Sequence, residues 1–196
     1  MPDVERGYLD RLAADPGQRP RQGWGRGYGR VSGSIPVCSR VMANPRDSIS
    51  VERVIAATPE RIFDVIADPA RHRDFDGSGS VKQATSGAPQ RLAAGASFGM
   101  SMKRGIGYSM LNTVTEFDEN RRIAWSPKPA SGRGARWVGR IWRYQLEPVD
   151  GGTRVTETWD ISKEALRFVL RYIAAGGTRK AMEKSLERLD ALVTSA

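Results

Sequence analysis

Between residues 80 and 161 the chain repeats one local theme six times, and no other feature narrows its fold as much. The runs 80–86, 97–103, 108–117, 121–126, 137–147 and 153–161 are rich in β-branched or aromatic residues, and Gly, Pro, Asn or Asp separates them. Such side chains fit a pleated, half-buried surface, and the separators supply turns, so the pattern predicts six strands. Two connections are short hairpin loops: Asp118-Glu119-Asn120 between the fourth and fifth strands of the domain, and Asp150-Gly151-Gly152 between the sixth and seventh. Upstream, Ile49, Val51, Arg53 and Ile55 alternate with Ser50, Glu52 and Val54, which adds a first strand ending at Thr58-Pro59. Successive neighbours are expected to be antiparallel.

Helical signals flank the β region. Thr58 reads as an N-cap with Pro59 at the first helical position, and Ile62, Phe63, Val65 and Ile66 form an apolar stripe that stops at Asp68-Pro69. Residues 69–75 read as a second helical turn before Asp76-Gly77-Ser78-Gly79. At the other end Leu166, Val169, Leu170, Ile173, Met182, Leu186, Leu189 and Val193 recur at helical spacing, with charged residues on the opposite face. That is a long amphipathic helix, and Gly176-Gly177 is expected to kink or break it. A break beside a cavity would act as a gate.

Residues 1–47 have another character. Pro16, Gly17, Pro20 and the run Gly23-Trp24-Gly25-Arg26-Gly27-Tyr28-Gly29-Arg30 supply breakers faster than apolar partners, so this stretch is expected to be a disordered Gly/Arg-rich tail. Met42 is then a plausible alternative start, and residues 48–196 form the folded domain. Interleaved Trp24, Arg26, Tyr28 and Arg30 also suit stacking on single-stranded nucleic acid, and the net charge of +9 attracts polyanions, which keeps RNA or ribosome binding open beside a plain solubilising role. One cysteine, Cys38, and one histidine, His72, leave no material for a disulfide framework, a thiolate zinc site or a two-histidine metal centre. No metal or cofactor is expected. No run approaches the ~18 apolar residues of a membrane span, and no secretory leader pattern is visible, so a cytoplasmic setting without stable membrane insertion is expected.

A strand, two short helices, a meander of six strands and a long terminal helix make an α+β domain in which a curved antiparallel sheet grips that helix. This order resembles the helix-grip fold of the START-like, or SRPBCC, superfamily, in particular its polyketide cyclase/dehydrase-like branch. The resemblance runs over residues 49–193. It rests on Thr58-Pro59-Glu60-Arg61-Ile62-Phe63-Asp64-Val65-Ile66-Ala67-Asp68-Pro69, His72 with Asp76-Gly77-Ser78-Gly79, Asn112-Thr113-Val114-Thr115-Glu116-Phe117, Arg122-Ile123-Ala124-Trp125, and the segment from Leu146 through Asp150-Gly151-Gly152 to Glu157. It implies a ligand cavity between sheet and terminal helix, in a superfamily whose functions range from lipid transfer and hormone binding to polyketide cyclisation and toxin activity.

Strand parity predicts what faces that cavity. Phe98, Met100 and Met102 share one face of the third strand, Tyr108, Met110, Asn112 and Val114 one face of the fourth, and Trp142, Tyr144 and Leu146 one face of the sixth, opposite Val155, Glu157 and Trp159. Flexible methionines and broad aromatics make an adaptable apolar lining for a lipid, polyketide or aromatic ligand, although the same stripes also serve as ordinary core. Glu157 and Asn112 are the polar candidates. Inside the cavity Glu157 would have a raised pKa and be available for proton transfer or for holding a ligand hydroxyl, with Tyr144 assisting; at the mouth it would pair with an arginine instead. His72, between Arg71 and Arg73, reads most simply as solvent-exposed, with acid/base work as the minor alternative. The expected partner is a hydrophobic small molecule, held by a binding protein or turned over by a cyclase- or dehydratase-like enzyme.

Overall fold

Seven strands form one antiparallel sheet: β1 (Ser48–Ile55), β2 (Val81–Ala84), β3 (Ser97–Arg104), β4 (Ile106–Asp118), β5 (Arg122–Pro129), β6 (Ile141–Val149) and β7 (Gly152–Asp160), in the order β1-β7-β6-β5-β4-β3-β2. The structure is a computed structural model that describes residues 47–130 and 138–195. Residues 1–46, with Trp24, Arg26, Tyr28, Arg30, Cys38 and Met42, lie outside the described residues, as do the expectations placed on them.

Register follows from the turns. The Asp150-Gly151-Gly152 hairpin pairs Trp142 with Trp159, Tyr144 with Glu157 and Leu146 with Val155, so one face of β6–β7 carries all six. A shift between Val114 and Glu116 in the β4–β5 pairing is a bulge, which bends the ladder and helps the sheet curl. The curled sheet and the helices it holds make a helix-grip fold.

Helix α1 (Pro59–Ala67) starts where the sequence predicts: the Thr58 hydroxyl accepts from the Arg61 N–H at 3.4 Å, and Ile62, Phe63, Val65, Ile66 and Ala67 are buried. A 3-10 turn (Pro69–Arg71) leads into α2 (His72–Phe75). The last 20-residue helix, α4 (Ala175–Thr194), buries Met182, Ser185, Leu186, Leu189 and Val193 along one stripe. Arg53 of β1 leaves the core alternation to pair with Asp190 of α4 at 2.7 Å.

Gly77 fixes how closely the loop after α2 approaches α4. Its N–H donates to Ser185 Oγ at 2.9 Å, and a Cβ there would lie 2.0 Å from the Ala181 carbonyl oxygen. Asp76 organises the same loop, its carboxylate accepting from the N–H groups of Ser78 at 3.0 Å and Val81 at 2.9 Å.

The terminal segment departs from expectation in two ways. Its break falls at Ala174, between α3 (Arg167–Ile173) and α4, and Gly176-Gly177 lie inside the first turn of α4. Leu166, Val169 and Ile173, expected to continue the buried stripe, are exposed, so the stripe that reaches the core is confined to α4.

Candidate ligand cavity

A cavity of about 1020 Å³ lies between the concave face of the sheet and the helices. Ten of the positions that strand parity turns inward line it: Phe98, Met100 and Met102 from β3, Tyr108, Met110 and Asn112 from β4, Trp142 and Tyr144 from β6, and Glu157 and Trp159 from β7, while Val114, Leu146 and Val155 on the same faces are packed in the core instead. Alternation brings them together, since each strand presents every second side chain to the same interior. Depth differs along the strands. Phe98 and Met100 are buried, whereas Tyr108 near the β3–β4 turn is 44% exposed and marks an opening.

Glu157 is 3% exposed, and its Oε2 is the one buried side-chain polar atom without a hydrogen-bond partner among the described residues. The expected alternative, pairing with an arginine at the mouth, is not what the structure shows. Burial raises the Glu157 pKa to about 8; the facing Tyr144 phenol pulls it down and the charge of Asp76 pushes it up. At neutral pH the carboxyl is therefore mostly protonated, able to donate one hydrogen bond and to accept others. The Tyr144 hydroxyl is held well above its ordinary pKa, first by burial and then by Glu157, so it stays a neutral donor. Asn112 also faces inward, its Nδ2 donating to the Phe98 carbonyl at 3.3 Å.

His72 corrects the sequence reading. It is buried, not exposed, because the turn from Pro69–Arg71 into α2 aims the ring inward while Arg73 stays outside. Nε2 donates to the Ile66 carbonyl at 2.8 Å, the ring stacks on Trp125 with centroids 5.0 Å apart, and Phe75 and Phe98 meet its edges. Burial lowers its pKa to about 4, so the imidazole is neutral at physiological pH and serves as an aromatic element of the wall. Trp125 also stacks on Tyr144 at 5.6 Å, giving a continuous ring surface beside Glu157.

Strand parity alone missed several lining residues. Trp125 belongs to β5, whose alternation was not assigned to the cavity; Ser185 comes from α4; Arg104 and Arg140 sit at strand ends. Arg140 Nε donates to the buried Glu164 carboxylate at 2.6 Å. The alternation of Ile123, Trp125 and Pro127 on β5 was the available signal for Trp125, Arg104 and Arg140 continue the inward parity of Met102 and Trp142, and the packing of α4 placed Ser185. Among the described residues, no three His, Cys, Asp or Glu side chains gather as a metal site would need, and no helix is long and apolar enough to cross a membrane.

A family model described as polyketide cyclase/dehydrase and lipid transport matches residues 46–194. An uncharacterized protein of Mycobacterium tuberculosis, Rv0088, is 33% identical over 159 residues, which is 79% of this chain and 66% of the relative. The chain thus spans just under two thirds of that relative's length. Among solved structures, a protein from Arthrobacter aurescens superposes with a TM-score of 0.61 at 18% identity, covering 80% of this chain and 92% of that one. Protein Ms6760 from Mycobacterium smegmatis gives 0.59 at 21% identity, covering 76% and 92%. At such identities these likenesses speak to the fold.

Proposed function

Because this chain belongs to the polyketide cyclase/dehydrase and lipid transport family, we propose that it binds a hydrophobic small molecule carrying a hydroxyl or carbonyl group, with that group held at Glu157. The observation that carries this reading is the unpartnered Oε2 of Glu157, buried in an otherwise aromatic and methionine-lined cavity. Leaving a polar atom so placed is costly unless a bound molecule completes its hydrogen bonds. A protonated carboxyl serves either kind of ligand group, accepting from a hydroxyl or donating to a carbonyl. The stacked rings of Trp125 and Tyr144 suit a flat ligand body.

A matched pair of probes tests this. Binding of 2-naphthol and 2-methylnaphthalene is followed by fluorescence of the cavity tryptophans. The hydroxylated probe should bind about tenfold more tightly to the parent protein, the worth of one good buried hydrogen bond. Glu157→Leu should remove that preference. Equal affinities in the parent would defeat the reading.

The raised pKa supports a second role for the same carboxyl. A group titrating at about 8 on the buried wall of an aromatic cavity is poised to exchange a proton with substrate, as a cyclase- or dehydratase-like reaction requires. Asn112 and Tyr144 would then orient a substrate oxygen. Glu157→Gln should abolish such turnover while largely preserving binding; unchanged turnover would dismiss this role.

A further inference from the structure

Helix α3 differs from the other helices in burying none of its residues. Phe168, Val169, Tyr172 and Ile173 are exposed, Ile173 by 79%. At the turn between β3 and β4, Ile106 is likewise 84% exposed. Both groups border one opening, since Arg104 and Tyr108 from that hairpin and Leu170 and Ile173 from α3 line the same cavity. Apolar side chains gathered on the rim of a ligand cavity are unlike the scattered ones a surface ordinarily carries.

The charge around them has one sign. Residues 165–182 contain Arg167, Arg171, Arg179 and Lys180 and no carboxylate, and residues 92–115 contain Lys103 and Arg104 and again none. Arg167 lies over the Phe168 ring at 4.7 Å and Arg171 over Tyr172 at 5.2 Å, so cations and aromatics share one surface. Arg167 also approaches Asp47 at 3.6 Å, while Arg171 belongs to none of the ion pairs found among the described residues. A second copy presenting this rim would set like charges against each other. An anionic lipid surface would accept both components, the rings entering the headgroup boundary and the guanidinium groups meeting phosphates.

We propose that α3 and the β3–β4 tip dock the cavity opening onto the surface of an anionic lipid bilayer. Docking is peripheral: Phe168, Tyr172 and Ile106 enter the interface, and Arg104, Arg167 and Arg171 hold the headgroups. A poorly soluble molecule then passes between bilayer and cavity without crossing bulk water. The docking does not depend on which group of that molecule Glu157 holds.

The test is co-sedimentation of the full chain with phosphatidylcholine vesicles, with and without phosphatidylglycerol, at fixed salt. Partitioning into the mixed vesicles should exceed that into phosphatidylcholine alone by at least about tenfold, and the Phe168→Ser/Tyr172→Ser double variant should lose about tenfold on the mixed vesicles. Both side chains are exposed, so the variant should keep the parent's thermal unfolding. Absent binding to the mixed vesicles would overturn the proposal, and so would full binding by the double variant, which would trace attraction to net charge elsewhere. Sedimentation velocity closes the remaining route: self-association of the parent that the double variant abolishes would assign the rim to a second copy and overturn lipid docking.

Discussion

Tyr144 and Glu157 stand directly opposite each other across the β6–β7 pair, so a phenol and a carboxyl face one another on the cavity wall. The phenol lowers the carboxyl's pKa against the dominant effect of burial. Tyr144→Phe should therefore move Glu157 further up from about 8. Infrared titration of the protonated carboxyl stretch reads this directly, with Glu157→Gln identifying the band; a downward shift would contradict the assigned geometry.

Stability should respond to pH through two buried groups of opposite sense. Glu157 moves from its ordinary 4.5 to about 8 on folding, so between those values the folded state keeps a proton the unfolded state has lost, and stability falls as pH rises. His72 moves from 6.5 to about 4, so the unfolded state protonates first on acidification and stability falls as pH drops. Between pH 4.5 and 6.5 the two slopes offset each other. From pH 6.5 to 8 Glu157 acts alone, and urea unfolding should show a loss of about 2 kcal/mol. In Glu157→Gln this alkaline decline should vanish while the acid-side decline due to His72 becomes visible; the same alkaline slope in the variant would refute the assignment.

Gly77→Ala should be among the most damaging single-atom additions. The new methyl would collide with backbone of α4 that no rotamer change can move. A loss of about 3 kcal/mol, or failure to fold, is expected from overpacking of this kind. Gly79→Ala in the same loop is the contrast: its Cβ meets nothing within 4 Å, so its smaller cost comes from the positive φ of 66° alone. Equal losses for the two would remove the close-approach argument.

Arg140 and Glu164 form a partly buried pair beside the cavity, with the carboxylate 4% exposed. Arg140→Met leaves that charge unpaired and should cost about 2 kcal/mol, reduced from the fully buried case by the arginine's contact with solvent. Adding Glu164→Gln should recover most of it. A double-mutant cycle measured by urea unfolding checks the coupling, and strict additivity would mean the pair contributes nothing.

The β face of this chain was legible because strand periodicity is local. Once the turn at Gly151-Gly152 sets the register, the inward positions of β6 and β7 follow by counting, and the cavity-facing positions of β3 and β4 follow in the same way. The Thr58 cap was legible for the same reason. His72 was not. Its neighbours Arg71 and Arg73 argue for exposure, and only the 3-10 turn after Pro69, together with the ring pocket of Phe75, Phe98 and Trp125, turns it inward. The helix break was misplaced by two residues because intrinsic propensity singles out the glycines, whereas the interruption falls at Ala174 and both glycines remain helical. Arg104 and Arg140 keep the inward parity of Met102 and Trp142, and they escaped notice because only the apolar and aromatic positions of each stripe were read as lining.

Helix α3 borders the cavity while burying none of its residues, with Leu170 alone packed against the core. Selection acting on the entrance is therefore largely uncoupled from selection on folding: the exposed side chains Phe168, Val169, Tyr172 and Ile173 can change size and polarity at little cost to stability. Substitutions at Phe98 or Tyr144, by contrast, alter the wall and the core together. A lineage built on this architecture can diversify what reaches the cavity faster than it diversifies the cavity itself.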